Sequence, residues 1–152
     1  MCRGVGLAAA IQFASCGGTV LLGCRNKDLG TAAVAHVRDL TRNHDVHLIE
    51  MDLSSHASIE AAVAQIPSTG LDVVVHNAGV LLKYESKSVD GLEMTFATNT
   101  VGCFALTQAL LQRKLLVNHR RRHAYPPVAD TRETSTYNVP FMSHPRTLTL
   151  TR

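Results

Sequence analysis

Gly4-Val5-Gly6 and Arg25 are the positions in this 152-residue chain best suited to handling a phosphorylated ligand. Glycine lets backbone come close to a phosphate group, and the free N–H groups and dipole of a helix start attract its charge. A lone Gly-x-Gly is weak evidence, because most such pairs are turns. A guanidinium offers phosphate a planar fork of donors, so Arg25 suits the same chemistry. The alternative for Arg25 is a solvated surface arginine. Asn99 stands twenty-two residues beyond Asn77. It falls on the apolar face of its own helix, where an unpaired amide is costly. Such an Asn either bonds to backbone or serves a site.

The elements that must position these residues are legible from periodicity. Leu7, Ile11 and Ala14 share one face of a first helix, which Cys16-Gly17-Gly18 ends. Thr19–Cys24 reads as a buried strand, and Leu29, Ala33, Val37 and Leu40 mark a second helix. Val46–Met51 is the next strand. Ser54 or Ser55 caps a third helix through Ile59, Ala62, Val63 and Ile66. After the break at Pro67–Gly70, Leu71–His76 is a strand running straight into Asn77. Asp90 is expected to open a long helix with Leu92, Phe96, Asn99, Cys103, Leu106 and Leu110 on its core face. Alternating strands and helices of this length indicate βαβ units and a parallel sheet covered on both faces.

Composition divides the chain in two. Residues 1–112 hold seven Lys/Arg against ten Asp/Glu, while residues 113–152 hold eight against two. All ten glycines lie at or before Gly102, and four of five prolines lie after Arg113. We therefore expect a folded domain over 1–112 and a basic, Pro/Ser/Thr-containing, poorly ordered tail over 113–152. A changed reading frame or alternative exon after about Leu111 would produce such a break. The basic run His119–His123 is read as a solvated stretch, with no nucleic-acid partner. No run reaches the roughly 18 apolar residues of a membrane span. Cys2, Cys16, Cys24 and Cys103 show no zinc-ligand spacing and are read as reduced thiols of a cytoplasmic protein, with no metal site.

Leu71–Gly79, Asn99 within Thr98-Asn-Thr-Val-Gly102, and the glycine pair opening the first helix together resemble the cofactor half of a short-chain dehydrogenase/reductase. The likeness covers residues 4 to about 111. Gly17–Arg25 and Asp90–Asn99 look most like the retinol-dehydrogenase-like and dehydrogenase/reductase branch. The resemblance implies a doubly wound, Rossmann-like α/β sheet that binds NAD(P). It implies that Gly4 and Gly6 face the pyrophosphate and that Asp52 bonds the adenine amino group. Asp52 has a second role open to it, capping the following helix. Asn77, Ala78 and Gly79 would line the adenosine ribose, with His76 replacing the family's first Asn as a hydrogen-bonded structural residue. Arg25 lies nineteen residues after Gly6, where an acid accepts ribose hydroxyls or an Arg meets a 2′-phosphate. It favours NADP(H), while nearby Asp28 leaves NAD(H) open. Asn99 matches the Asn that orders a water in the family's proton relay.

The family's remaining catalytic residues are a Ser and a Tyr-x-x-x-Lys pair. Tyr125 and Tyr137 have Ala and Phe four residues on, and no lysine follows Lys114. Loss of a general acid costs roughly 10²–10⁴ in rate. The family's strand order, 3-2-1-4-5-6-7, places its first strand between 19–24 and 71–76. Only Met1-Cys2-Arg3 precede Gly4, and the family's first glycine has no counterpart, so the sheet is expected to stand open at its centre. The chain is thus expected to be an incomplete oxidoreductase of the carbonyl/alcohol type, inactive alone. The other class is a non-catalytic nucleotide-binding or interaction unit. Pairing, with itself or a relative, is expected through the helix at 90–112.

Overall fold

The computed structural model describes residues 4–116 and 146–150. Along the chain run α1 (Val5–Ser15), β1 (Thr19–Cys24), α2 (Lys27–Thr41), β2 (Val46–Glu50), α3 (His56–Val63) and β3 (Val73–Val75). Then come α4 (Met94–Phe96), a π-helical turn (Ala97–Val101), α5 (Gly102–Gln112) and β4 (Arg146–Leu150). The four strands form one parallel sheet in the order β2-β1-β4-β3.

Side chains alternate across β1, as the period of two in a strand requires. Val20, Leu22 and Cys24 pack with Ala10, Ala14, Ala33, Val34 and Val37 of α1 and α2. Leu21 instead joins Ile49, Ile59, Ala62, Val63, Leu71, Leu106 and Leu110, in a core built with α3 and α5. The doubly wound α/β architecture expected from periodicity is therefore present, as a partial sheet.

The centre of that sheet departs from expectation. The slot beside β1 is filled by β4, from the segment assigned to a poorly ordered tail. Val20 pairs with Thr147 and Gly23 with Leu150 on one side, and Val73–Val75 pair with Thr147–Thr149 on the other. The physical reason is that buried backbone groups must be paired, and an empty slot would orphan two strand edges at once. Arg-Thr-Leu-Thr-Leu also alternates and contains two β-branched residues, so it suits a strand. The basic run 119–123 and Pro126-Pro127 lie outside the described residues.

Three local readings change as well. The last helix starts at Met94, not Asp90. Gly91 takes φ 82°, and the Glu93 carboxylate accepts from Thr95 and Phe96 N–H, which also holds its pKa below the ordinary value. Asp90 instead accepts the first N–H of α3, from His56, at 2.7 Å. The core face over 92–110 is only half realised: Leu106 and Leu110 are buried, Leu92, Phe96 and Asn99 are exposed. The π turn between them inserts a wider turn and breaks the phase of the stripe. Finally, Cys24 is disulfide-bonded rather than a reduced thiol, while Cys16 and Cys103 are free.

Gly102 sets how closely α5 approaches the sheet. A Cβ there would lie 2.1 Å from the Leu53 carbonyl oxygen, a backbone atom that cannot rotate away. Gly102→Ala must push α5 off the loop after β2. Overpacking of this kind costs about 1–3 kcal/mol. Thermal or urea melting should show a loss of that size, and an unchanged midpoint would contradict the packing described.

Candidate nucleotide site

Arg25, Asp52 and Asn77 follow the C-terminal ends of β1, β2 and β3 respectively. In a parallel sheet those ends share one edge, and in open α/β sheets ligands bind outside it. The sheet thus brings three of the sequence-selected groups to one edge.

Gly4 is the N-cap of α1, at φ 79°, a backbone conformation that disfavours any residue with a Cβ. No side chain caps the helix, and no acid occupies its first turn. Open space surrounds the position of a Cβ at Gly4. The helix start therefore presents N–H groups with no carboxylate competing for them. Gly6 is buried within the first turn.

Arg25 is exposed and stands 3.9 Å from the Asp52 carboxylate, a loose pair with an Arg side chain two-thirds in solvent. Such a pair contributes little to stability, which leaves the guanidinium available to another anion. The Asp52 Oδ1 accepts from the Ser54 N–H and hydroxyl at 2.9 and 2.7 Å. Its backbone N–H donates to the Ser58 hydroxyl. The cap of α3 is Ser55, whose hydroxyl accepts from the Ser58 N–H. Asp52 thus orders the turn ahead of α3 and leaves the cap to Ser55, one of the two serines proposed for it.

Asn99 is the best-defined polar side chain of the region. Its Oδ1 accepts from Val80 N–H and its Nδ2 donates to the Val80 carbonyl, both at 2.8 Å. The two bonds tie the π turn to the segment Asn77-Ala78-Gly79. A Cβ on Gly79 would already touch the Asn99 Oδ1 at 3.4 Å. Asn99 is exposed rather than buried, so the reading of a buried amide is corrected. The π turn lifts it from the core stripe that holds Leu106 and Leu110. The backbone bonds leave the amide oriented but not sequestered.

His76 sits just before this turn, with its Nε2 3.1 Å from the Thr107 hydroxyl of α5. Thr107 Oγ1 also donates to the Cys103 carbonyl, which fixes the α5 side of the contact. Thr107 and Val80 were not singled out from sequence. The spacing of Thr107 one helical turn from Cys103 was the available signal for the first; a backbone partner such as Val80 leaves none. Burial pushes the Cys103 thiol up, away from thiolate chemistry. Tyr84 is the tyrosine among the described residues; it is exposed and has Ser88, not lysine, four residues on. Tyr125 and Tyr137 lie outside those residues. No three His, Cys, Asp or Glu side chains gather into a metal-binding group among the described residues.

Residues 1–122 match the family model for short chain dehydrogenase. This chain belongs to the short-chain dehydrogenase family. It is 36% identical over 112 residues to human retinol dehydrogenase 13, covering 72% of this chain and 34% of that protein. It is 37% identical over 109 residues to dehydrogenase/reductase SDR family member 12 of Bos taurus, covering 71% and 34%. These relatives place it in the retinol-dehydrogenase-like branch. Among solved structures, a double mutant of a Serratia marcescens short-chain dehydrogenase/reductase matches with a TM-score of 0.59 and 29% identity, over 74% of this chain and 47% of that one. A short-chain dehydrogenase from Sphingobium yanoikuyae in complex with NADPH matches with a TM-score of 0.57 and 25% identity, over 72% and 44%. The chain spans about a third of the length of these curated relatives. The parallel sheet of the short-chain dehydrogenase fold accounts for Arg25, Asp52 and Asn77 lying along one sheet edge. No helix among the described residues is long and apolar enough to cross a membrane.

Partial burial of His76 holds its imidazole below the ordinary value. The unfolded chain then binds that proton more readily. Stability from this group is complete above the unfolded value of about 6.5 and is lost as pH falls through it toward the lower folded value. Melting midpoints should drop as pH falls below about 6.5, and His76→Gln should flatten part of that slope. An identical slope in the variant would show that His76 does not contribute it.

Proposed function

We propose that this chain is a nicotinamide-nucleotide-binding unit of oxidoreductase descent, with a preference for NADP(H), that does not transfer hydride by itself. The observation that carries the proposal is the placing of Arg25, Asp52 and Asn77 at one edge of a parallel sheet. Gly4 and Gly6, at the open start of α1, would receive the pyrophosphate. Arg25 would meet a 2′-phosphate through its fork of donors. Asp52 would accept from the adenine amino group, and Asn77-Ala78-Gly79 would line the adenosine ribose. NADPH, when bound, supplies the hydride for a carbonyl/alcohol pair.

Two facts support the second half of the proposal. Neither Tyr125 nor Tyr137 has its lysine, and nothing supplies the Ser and Tyr-x-x-x-Lys set. Asn99 alone cannot move a proton to a substrate oxygen. The oxidation of retinol, named for the human relative, is therefore proposed for the family branch and not for this chain alone. The exposed Phe96, Phe104 and Leu111, spaced eight and seven residues apart, favour a further reading. Phe104 and Leu111, both on α5, share one helical face, and through that face the chain pairs with a second copy or a full-length relative.

The test combines titration and turnover. NADPH should bind, and Arg25→Ala should weaken it about tenfold, as expected for loss of one charge-assisted phosphate contact. NADH affinity should hardly change. Across ketones, aldehydes and retinoids, NADPH oxidation should stay at the buffer rate. Turnover that disappears in Asn99→Ala would overturn the proposal, as would equal loss of NADH and NADPH affinity.

A further inference from the structure

The central slot of the sheet is a place where a strand must be supplied, and its occupant is unusual. β1 and β3 do not pair with each other; β4 lies between them and pairs with both. In the family order inferred from sequence, this slot belongs to a strand preceding α1. Here it holds Arg146–Leu150, which lies after α5 in the chain.

The entrance to the slot is built for this segment. Asp72 precedes β3, and its carboxylate is almost wholly shielded. It accepts from the Arg146 backbone N–H at 2.7 Å and from the Arg146 Nε at 3.2 Å. The guanidinium also donates to the Thr69 carbonyl at 2.6 Å, and the Asp72 N–H returns a bond to the Arg146 carbonyl at 2.8 Å. These contacts hold the first residue of β4 at both backbone and side chain, and so set the register of Thr147–Leu150. A shielded carboxylate is costly without a cation, and the arginine supplies one.

One residue further the fit fails. Thr147 is fully buried, and its hydroxyl has no hydrogen-bond partner among the described residues. A central strand of a parallel sheet is ordinarily rich in Val, Ile and Leu. Valine would fill the same volume at Thr147 without an unpaired hydroxyl.

We propose that docking of β4, clamped at Arg146 and mismatched at Thr147, is the step that joins the β2-β1 and β3 parts of the sheet, and that Thr147 limits how firmly the strand is held. The proposal concerns assembly of the sheet and stands apart from whether NADPH binds. In consequence, Arg25 and Asp52 on one side and Asn77–Gly79 on the other are held together across β4.

Hydrogen exchange on the full chain, read segment by segment, tests this. Amides of residues 147–150 should be protected to the same degree as those of 20–24. Thr147→Pro removes a ladder donor, and should release protection in 147–150, 20–24 and 73–75 together. Asp72→Asn should release the same three segments to a smaller degree. Thr147→Val should do the reverse, raising protection in all three and lifting the melting midpoint by about 2–4 °C. Rapid exchange at 147–150 with 20–24 still protected would overturn the proposal. So would a Thr147→Pro chain in which β1 and β3 keep their protection, or a Thr147→Val chain that melts lower.

Discussion

Between β1 and β3 lies a gap one strand wide, lined on each side by backbone N–H and C=O groups. Parallel pairing across that gap is the constraint on which the rest of the structure depends. β4 satisfies both rows at once, in register with Thr19–Gly23 and with Val73–Val75. Each unmade bond in a buried ladder would cost on the order of 1–3 kcal/mol, so an open slot would consume a large share of a small domain's stability. The core on the α3 and α5 face spans the same gap, joining Leu21 and Ile49 on one side to Leu71 on the other.

The site inherits its geometry from the same pairing. Arg25 and Asp52 follow β1 and β2, while Asn77-Ala78-Gly79 follows β3, on the far side of β4. Asn99 then fixes the β3 side from above, with two bonds to the Val80 backbone. Gly102 allows α5 to sit against the loop after β2, so the helix carrying Thr107 reaches His76. The outcome is a sheet edge with ordered polar groups and no Tyr-x-x-x-Lys pair beside them among the described residues. Family descent is shown by the sequence match, while loss of catalysis is what we propose for this chain.

Much of this was legible in the sequence. The apolar periodicity of Thr19–Cys24, Val46–Glu50 and Ile59–Val63 located elements that the structure retains, and the turn at Asn77-Ala78-Gly79 identified the family. The features that were not legible share a physical cause: they depend on partners distant in the chain. Arg146–Leu150 is five residues in a basic, proline-containing stretch, and only the unmet ladder between two remote strands makes it β. The π turn at Ala97–Val101 was invisible because Leu92, Phe96 and Asn99 continue the apolar spacing of Leu106 and Leu110. Only the backbone shows where the phase breaks. Asp90 looked like the start of its own helix, yet its carboxylate caps α3. A cap is identified by which N–H it reaches, and sequence spacing alone does not say.

The most direct test of a β4-bridged sheet is a set of through-space amide and Hα contacts measured by NMR on the isotopically labelled full chain. Parallel-strand contacts are expected from Thr147, Leu148 and Thr149 to Val20, Leu21 and Leu22 on one side. Contacts from the same three residues to Val73, Val74 and Val75 are expected on the other. Direct contacts between 20–22 and 73–75, or contacts from 147–149 to neither strand, would contradict it.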